Sequence, residues 1–101
     1  MFEIIWTEFA VTELRNIYLY YLTVASKRVA NKIRKSIFLE IKILESNPFS
    51  FQIEENLISL NQKHRFLIVK NYKVIYLISK EKKVYITDIF DCRQNPEKMN
   101  R

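Results

Sequence analysis

The sequence predicts an α+β fold in which a helix hairpin covers one face of an antiparallel sheet. Three observations carry that prediction. Apolar residues recur at helical spacing through two successive stretches in the first half of the chain. Three runs rich in β-branched and aromatic residues follow one another after about residue 63. The order of these pieces, one short strand, two helices and three strands (βααβββ), is that of a two-layer domain with helices segregated to one sheet face.

Phe2-Glu3-Ile4-Ile5-Trp6 is β-rich, and Thr7 then offers a hydroxyl N-cap with Glu8 beside the positive end of a helix. The first helix is expected over about residues 8 to 23, with Phe9, Ala10, Leu14, Ile17, Tyr18, Tyr21 and Leu22 on one face. Ser26 caps a second helix whose stripe is Val29, Ala30, Ile33, Ile37, Ile41 and Leu44. Asn47-Pro48 ends it, because proline disfavours α geometry in the residue before it. Residues 49–62 lack periodicity and read as a loop with a short helical or extended piece. Strands are expected over roughly 64–70, 72–79 and 83–91, as an antiparallel meander broken at Asn71 and at Lys80-Glu81-Lys82-Lys83. Phe66-Leu67-Ile68-Val69 is apolar on both faces, so the sheet's second face is expected to be partly covered.

The 101 residues suffice for one domain, 1–101, and are too few for two. A hydrophobic content of 49% excludes a disordered chain. No run approaches the roughly 18 apolar residues of a membrane span, and no basic segment precedes an apolar one at the N-terminus, so a cytoplasmic protein is expected. The single cysteine, Cys92, and single histidine, His64, make neither an internal disulfide nor a zinc site. Glycine is absent, which excludes Gly-rich phosphate loops and leaves positive-φ turn positions to Asn47, Asn56, Asn61, Asn71 or Asn95. Seventeen Lys plus Arg against eleven Asp plus Glu give a net charge of +6, which favours a polyanion or an acidic protein as partner. No metal or cofactor is expected.

The densest functional signal is at the C-terminal end. The strand-like run 84–90 delivers Asp91-Cys92-Arg93-Gln94-Asn95-Pro96 into a turn, and the adjacent Tyr72-Lys73-Val74-Ile75-Tyr76 strand is expected to bring Lys73 toward the same surface as Arg93. A structural pair of Arg93 with Asp91 or Asp88 is the competing reading. Beside Arg93, the Cys92 thiolate would be favoured; the plainer reading is a small buried hydrophobe. The basic residues of the second helix, Lys27, Arg28, Lys32, Arg34, Lys35 and Lys42, read as a solvated face, and Tyr20 as the outward tyrosine of the first helix.

Leu44-Glu45-Ser46-Asn47-Pro48, the stretch from Arg65 to Tyr76, and Asp91 to Pro96, in this order, resemble the RelE/ParE superfamily of bacterial toxins over nearly the whole chain. The resemblance implies the toxin half of a type II toxin–antitoxin pair, neutralised by an acidic antitoxin over the helix hairpin and the open sheet edge, in a hetero-oligomer. RelE-like members cleave messenger RNA in the ribosomal A site; ParE-like members poison DNA gyrase. By motif, Lys73 takes the strand arginine position of RelE-like toxins and Arg93 the C-terminal arginine position; with Arg65 they form the expected anion-binding set. The paired lysines of RelE-like members are not matched, His64 and Phe66 standing near those positions, and Met99 stands about where a C-terminal tyrosine belongs. The expected function is therefore ParE-like gyrase binding without turnover. The alternative is a ribosome-dependent endoribonuclease using Arg65, Lys73 and Arg93, with His64, or Glu54 and Glu55, in proton transfer. A second alternative is an antitoxin-binding module without toxicity.

Overall fold

The computed structural model describes residues 1–60 and 62–99. Strand β1 (Glu3–Trp6) leads into helix α1 (Glu8–Val24), which is followed by α2 (Lys27–Ile41) and a 3-10 turn, Lys42–Glu45. Both anticipated caps form: Thr7 Oγ1 accepts from the Ala10 amide at 3.3 Å, and Ser26 Oγ from the Val29 amide at 3.2 Å. The α-helical part of the second helix ends at Ile41, before the Asn47-Pro48 stop, because the last turns tighten to 3-10 geometry.

Residues 49–62 hold both a strand, β2 (Gln52–Ile53), and a 3-10 segment, Glu55–Leu60. Strands β3 (Arg65–Val69), β4 (Tyr72–Ile78) and β5 (Lys83–Asp91) make the meander, and a last 3-10 turn covers Pro96–Lys98. The sheet order is β1-β5-β4-β3-β2, with β1 parallel to β5 and the remaining pairs antiparallel. The helix hairpin is thus the crossover that returns the chain to the sheet.

One face of the sheet packs on the helices: Val74, Tyr76, Val84, Ile86 and Ile89 meet Leu14, Ile33 and Ile37. Phe9, Leu22 and Val29, placed on the buried stripes by spacing, remain 42%, 41% and 38% exposed. The opposite face carries a second, smaller core of Leu57, Ile75, Phe90 and Met99, closed by the 3-10 segment and the chain's last turn.

A bulge decides which β5 residues face the helices. Ile75 pairs with Asp88 but Tyr76 with Ile86, so Thr87 is the extra residue, its hydroxyl donating to the Ile75 carbonyl at 3.2 Å. Val84 and Ile86 lie on the helix side before it, and Ile89 and Asp91 after it.

Among the described residues the positive-φ positions are Lys70 (φ 55°) and Lys82 (φ 59°), and none of the described asparagines takes one. Asn47 and Asn95 have φ of −135° and −63°, and Asn56 and Asn71 are also outside the left-handed region; Asn61 lies outside the described residues. Hairpin register overrides residue preference here. Val69 pairs with Tyr72, which puts Lys70 first in a two-residue loop, and Lys82 falls third in the loop between Ser79 and Lys83.

Candidate functional site

The three cations anticipated as one anion-binding set occupy three separate places. Arg93 lies on the helix side, 61% exposed in its side chain, and forms a bidentate pair with Asp91: Nε to Oδ1 at 3.0 Å and Nη2 to Oδ2 at 2.7 Å, with its amide also donating to Oδ1 at 2.9 Å. This pairing holds the Asp91 carboxyl below the usual carboxylate range and pushes the Arg93 guanidinium further up. The structural pair with Asp91 is therefore present, and the guanidinium reaches solvent only through its remaining donors.

Lys73 points to the opposite face. Its Nζ lies 2.7 Å from Glu54 Oε1 and 4.3 Å from the centre of the Phe66 ring. Alternation explains the separation: Tyr72, on the helix face, is opposite Asp91, so Lys73, one residue on, faces away. Glu54 is 1% exposed. Burial alone would raise its pKa, but hydrogen bonds from Lys73 and from the Asn56 amide and side chain outweigh this and leave it lowered. The shared surface expected of Lys73 and Arg93 is not formed.

Arg65 is at the far edge of the helix face. Its Nη1 donates to the Phe51 carbonyl at 2.7 Å and, more weakly, to that of Phe49 at 3.4 Å, and its guanidinium lies 5.6 Å from the Phe49 ring. It ties the 49–51 turn to β3.

His64 is buried at 2% exposure, not exposed at a strand end, because the 3-10 segment folds over the start of β3. Burial lowers its pKa, opposed by a hydrogen bond to the Gln62 backbone and by the charge of Glu54, and Nδ1 has no partner among the described residues. Cys92 is exposed; burial of its thiol and the nearby Asp91 and Glu54 charges raise its pKa, so the reactive thiolate is not favoured. The opposing charge is that of Lys73, and it does not offset them.

Val11, Tyr18 and Phe38, with the buried Leu14 beneath them, line a groove of about 250 Å³ between the two helices, flanked by Arg15 and Arg34, with the Arg34 guanidinium 4.6 Å from the Tyr18 ring centre. Strand β2 pairs only with Arg65 and Phe66, so the outer edge from Leu67 to Val69 has no strand partner among the described residues, and Ile68 stands 53% exposed. A second cleft, about 360 Å³, lies between α1 and the ends of β4 and β5 and contains the Asp91–Arg93 pair. Tyr20, at 52% exposure, is indeed outward, whereas Tyr21 turns in, its hydroxyl 3.4 Å from that of Tyr72.

Sequence reasoning missed Glu54 as the acceptor of Lys73, and Glu13 as part of the cleft beside Arg93. A signal existed for the first: Glu54 falls among the apolar residues of 49–60, where a carboxylate needs a cation. Glu13 carries none. Among the described residues no group of His, Cys, Asp and Glu could hold a metal ion, and no helix is long and apolar enough to cross a membrane.

A family model described as the ParE toxin of the type II toxin–antitoxin system, parDE, matches residues 4–96. No curated protein matches significantly. Among solved structures, one from the chromosomal ParDE toxin–antitoxin system of P. aeruginosa is similar in fold, with a TM-score of 0.74 and 18% identity over 90% of this chain and 96% of that one.

Proposed function

Because this chain belongs to the ParE toxin family of type II toxin–antitoxin systems and so has an antitoxin as partner, we propose that it halts growth by binding DNA gyrase in the cytoplasm, as a single toxin domain over 1–101. The observation that carries binding over turnover is burial. Attack by a ribose 2′-OH needs a proton acceptor within hydrogen-bond reach. The groups anticipated for that task, His64 and Glu54, are 2% and 1% exposed, and Glu54 is held by Lys73 and Asn56. The exposed Glu55 remains, away from any assembled set of cations.

The antitoxin, acidic and complementary to the +6 charge, docks on the groove between the two helices and adds to the open edge of β3 in this reading. Arg15 and Arg34 flank that groove, and Lys63 and Lys70 flank the edge. Such a complex, a toxin–antitoxin hetero-oligomer, weakens as salt rises.

Pulse labelling of new DNA and new protein within minutes of inducing the chain alone in bacteria tests the target. An early fall in DNA synthesis is expected. An early fall in protein synthesis would instead favour ribosome-dependent cleavage of messenger RNA, and no fall in either would leave an antitoxin-binding module without toxicity.

A further inference from the structure

The cleft beside Arg93 has an electrostatic character opposite to that of the molecule around it. Glu13, Asn16 and Tyr20 stand along one face of α1, at i, i+3 and i+7, and form one wall; Gln94 and the Asp91–Arg93 pair form the other. Asp91 and Arg93 neutralise one another through their bidentate contact, which leaves the Glu13 carboxylate as the uncompensated charge. Glu13 is half-buried and makes no hydrogen bond or ion pair among the described residues, nor do the side chains of Asn16, Tyr20 and Gln94. The floor is apolar, formed by Ile17 and Ile89.

We propose that this cleft receives one arginine side chain of the acidic antitoxin; the occupant's identity rests on the toxin–antitoxin reading above. A guanidinium is planar and carries five donors, so it suits a site that offers a carboxylate and two amide oxygens together. Its face can lie on the exposed Tyr20 ring, and its aliphatic stem on Ile17 and Ile89. An anion is disfavoured, because the cation lining the cleft already has its carboxylate. An acidic chain can slide among the many basic positions of a +6 protein. One arginine, drawn to this carboxylate-lined cleft and disfavoured by the net positive charge around it, sets the register in which the chain binds.

The test is a titration of the isotope-labelled protein with N-acetyl-arginine amide, with N-acetyl-citrulline amide as the neutral isostere, followed by amide chemical shifts. Saturable shifts are expected at Glu13, Asn16, Tyr20 and Gln94 with the arginine probe. Binding should weaken by about tenfold with the citrulline probe and in Glu13→Gln, and weaken in Tyr20→Leu, whose spectra report whether each variant is folded. Shifts confined elsewhere, equal binding of both probes, or binding unchanged in Glu13→Gln would overturn the proposal. The probe carries no other part of an antitoxin, so its failure leaves docking on the hairpin untouched, whereas failure of the toxin reading appears in the labelling experiment alone.

Discussion

Asp91 and Arg93, two residues apart at the end of β5, close a ring in which the carboxylate accepts from the arginine's amide, Nε and Nη2. The charge that the sequence offers to an anion is thereby bound before any anion arrives. Asp91→Asn should free the guanidinium and raise the salt concentration needed to elute the protein from heparin by more than Glu81→Gln, which makes the same charge change in an exposed turn. Equal shifts for the two variants would mean that the pair does not restrain Arg93.

Lys73 and Glu54 form the buried counterpart of that pair. Lys73→Ala leaves a carboxylate at 1% exposure without its cation and should cost about 3 kcal/mol in urea unfolding. Lys73→Met combined with Glu54→Leu should recover most of the loss, since the desolvation cost disappears with both charges. Glu54 has its pKa lowered from 4.5, so its contribution is fully present above that value and is lost as pH falls through the folded pKa. Below about pH 4.5, Glu54→Gln should therefore lose less stability than the wild type.

His64 acts in a higher window. Its folded pKa is lowered from 6.5, so the unfolded chain binds the proton more readily, and stability falls as pH drops below 6.5 until the folded pKa is reached. One proton limits the slope to about 1.4 kcal/mol per pH unit. Denaturation midpoints measured between pH 7.5 and 5.5 should show this slope in the wild type and lose it in His64→Leu.

Lys70 holds φ 55° in a chain with no glycine, a conformation that costs a side-chain-bearing residue about 1 kcal/mol. Lys70→Gly should stabilise the protein by up to that amount, and Lys70→Val should destabilise it, both read as shifts in thermal midpoint. Lys82→Gly should gain less, because Lys82 Nζ also lies 5.7 Å from the Phe2 ring centre.

Much of the fold was legible because its signals are local. The caps at Thr7 and Ser26, the stripe Ala30, Ile33, Ile37, Ile41 and Leu44, and the three meander strands each follow from the spacing of neighbouring residues. The positive-φ lysines were not legible, since a turn position is set by how two strands align and the preference for asparagine is weaker than a sheet's register. The parallel slot of β1 beside β5 depends likewise on a partner some 80 residues away, as Thr7 shows by donating its amide and hydroxyl to the Ile86 carbonyl.

For the site, residue types and charge were in the chain, and their grouping was not. By itself the sequence determined two layers, the +6 charge, the absence of glycine phosphate loops and the family to which the chain belongs. The tertiary structure alone decided that Lys73 pairs with the buried Glu54, that His64 is shut away from solvent by the 3-10 segment and that Arg93 faces α1. For Lys73 and Arg93 the physical reason is parity. Side chains alternate along a strand, and one extra residue at Thr87 shifts every later position of β5 to the other face. Without that bulge, the alternation of Val84 and Ile86 would continue through Asp88 and Phe90, and Asp91 with its arginine would lie on the side of Lys73.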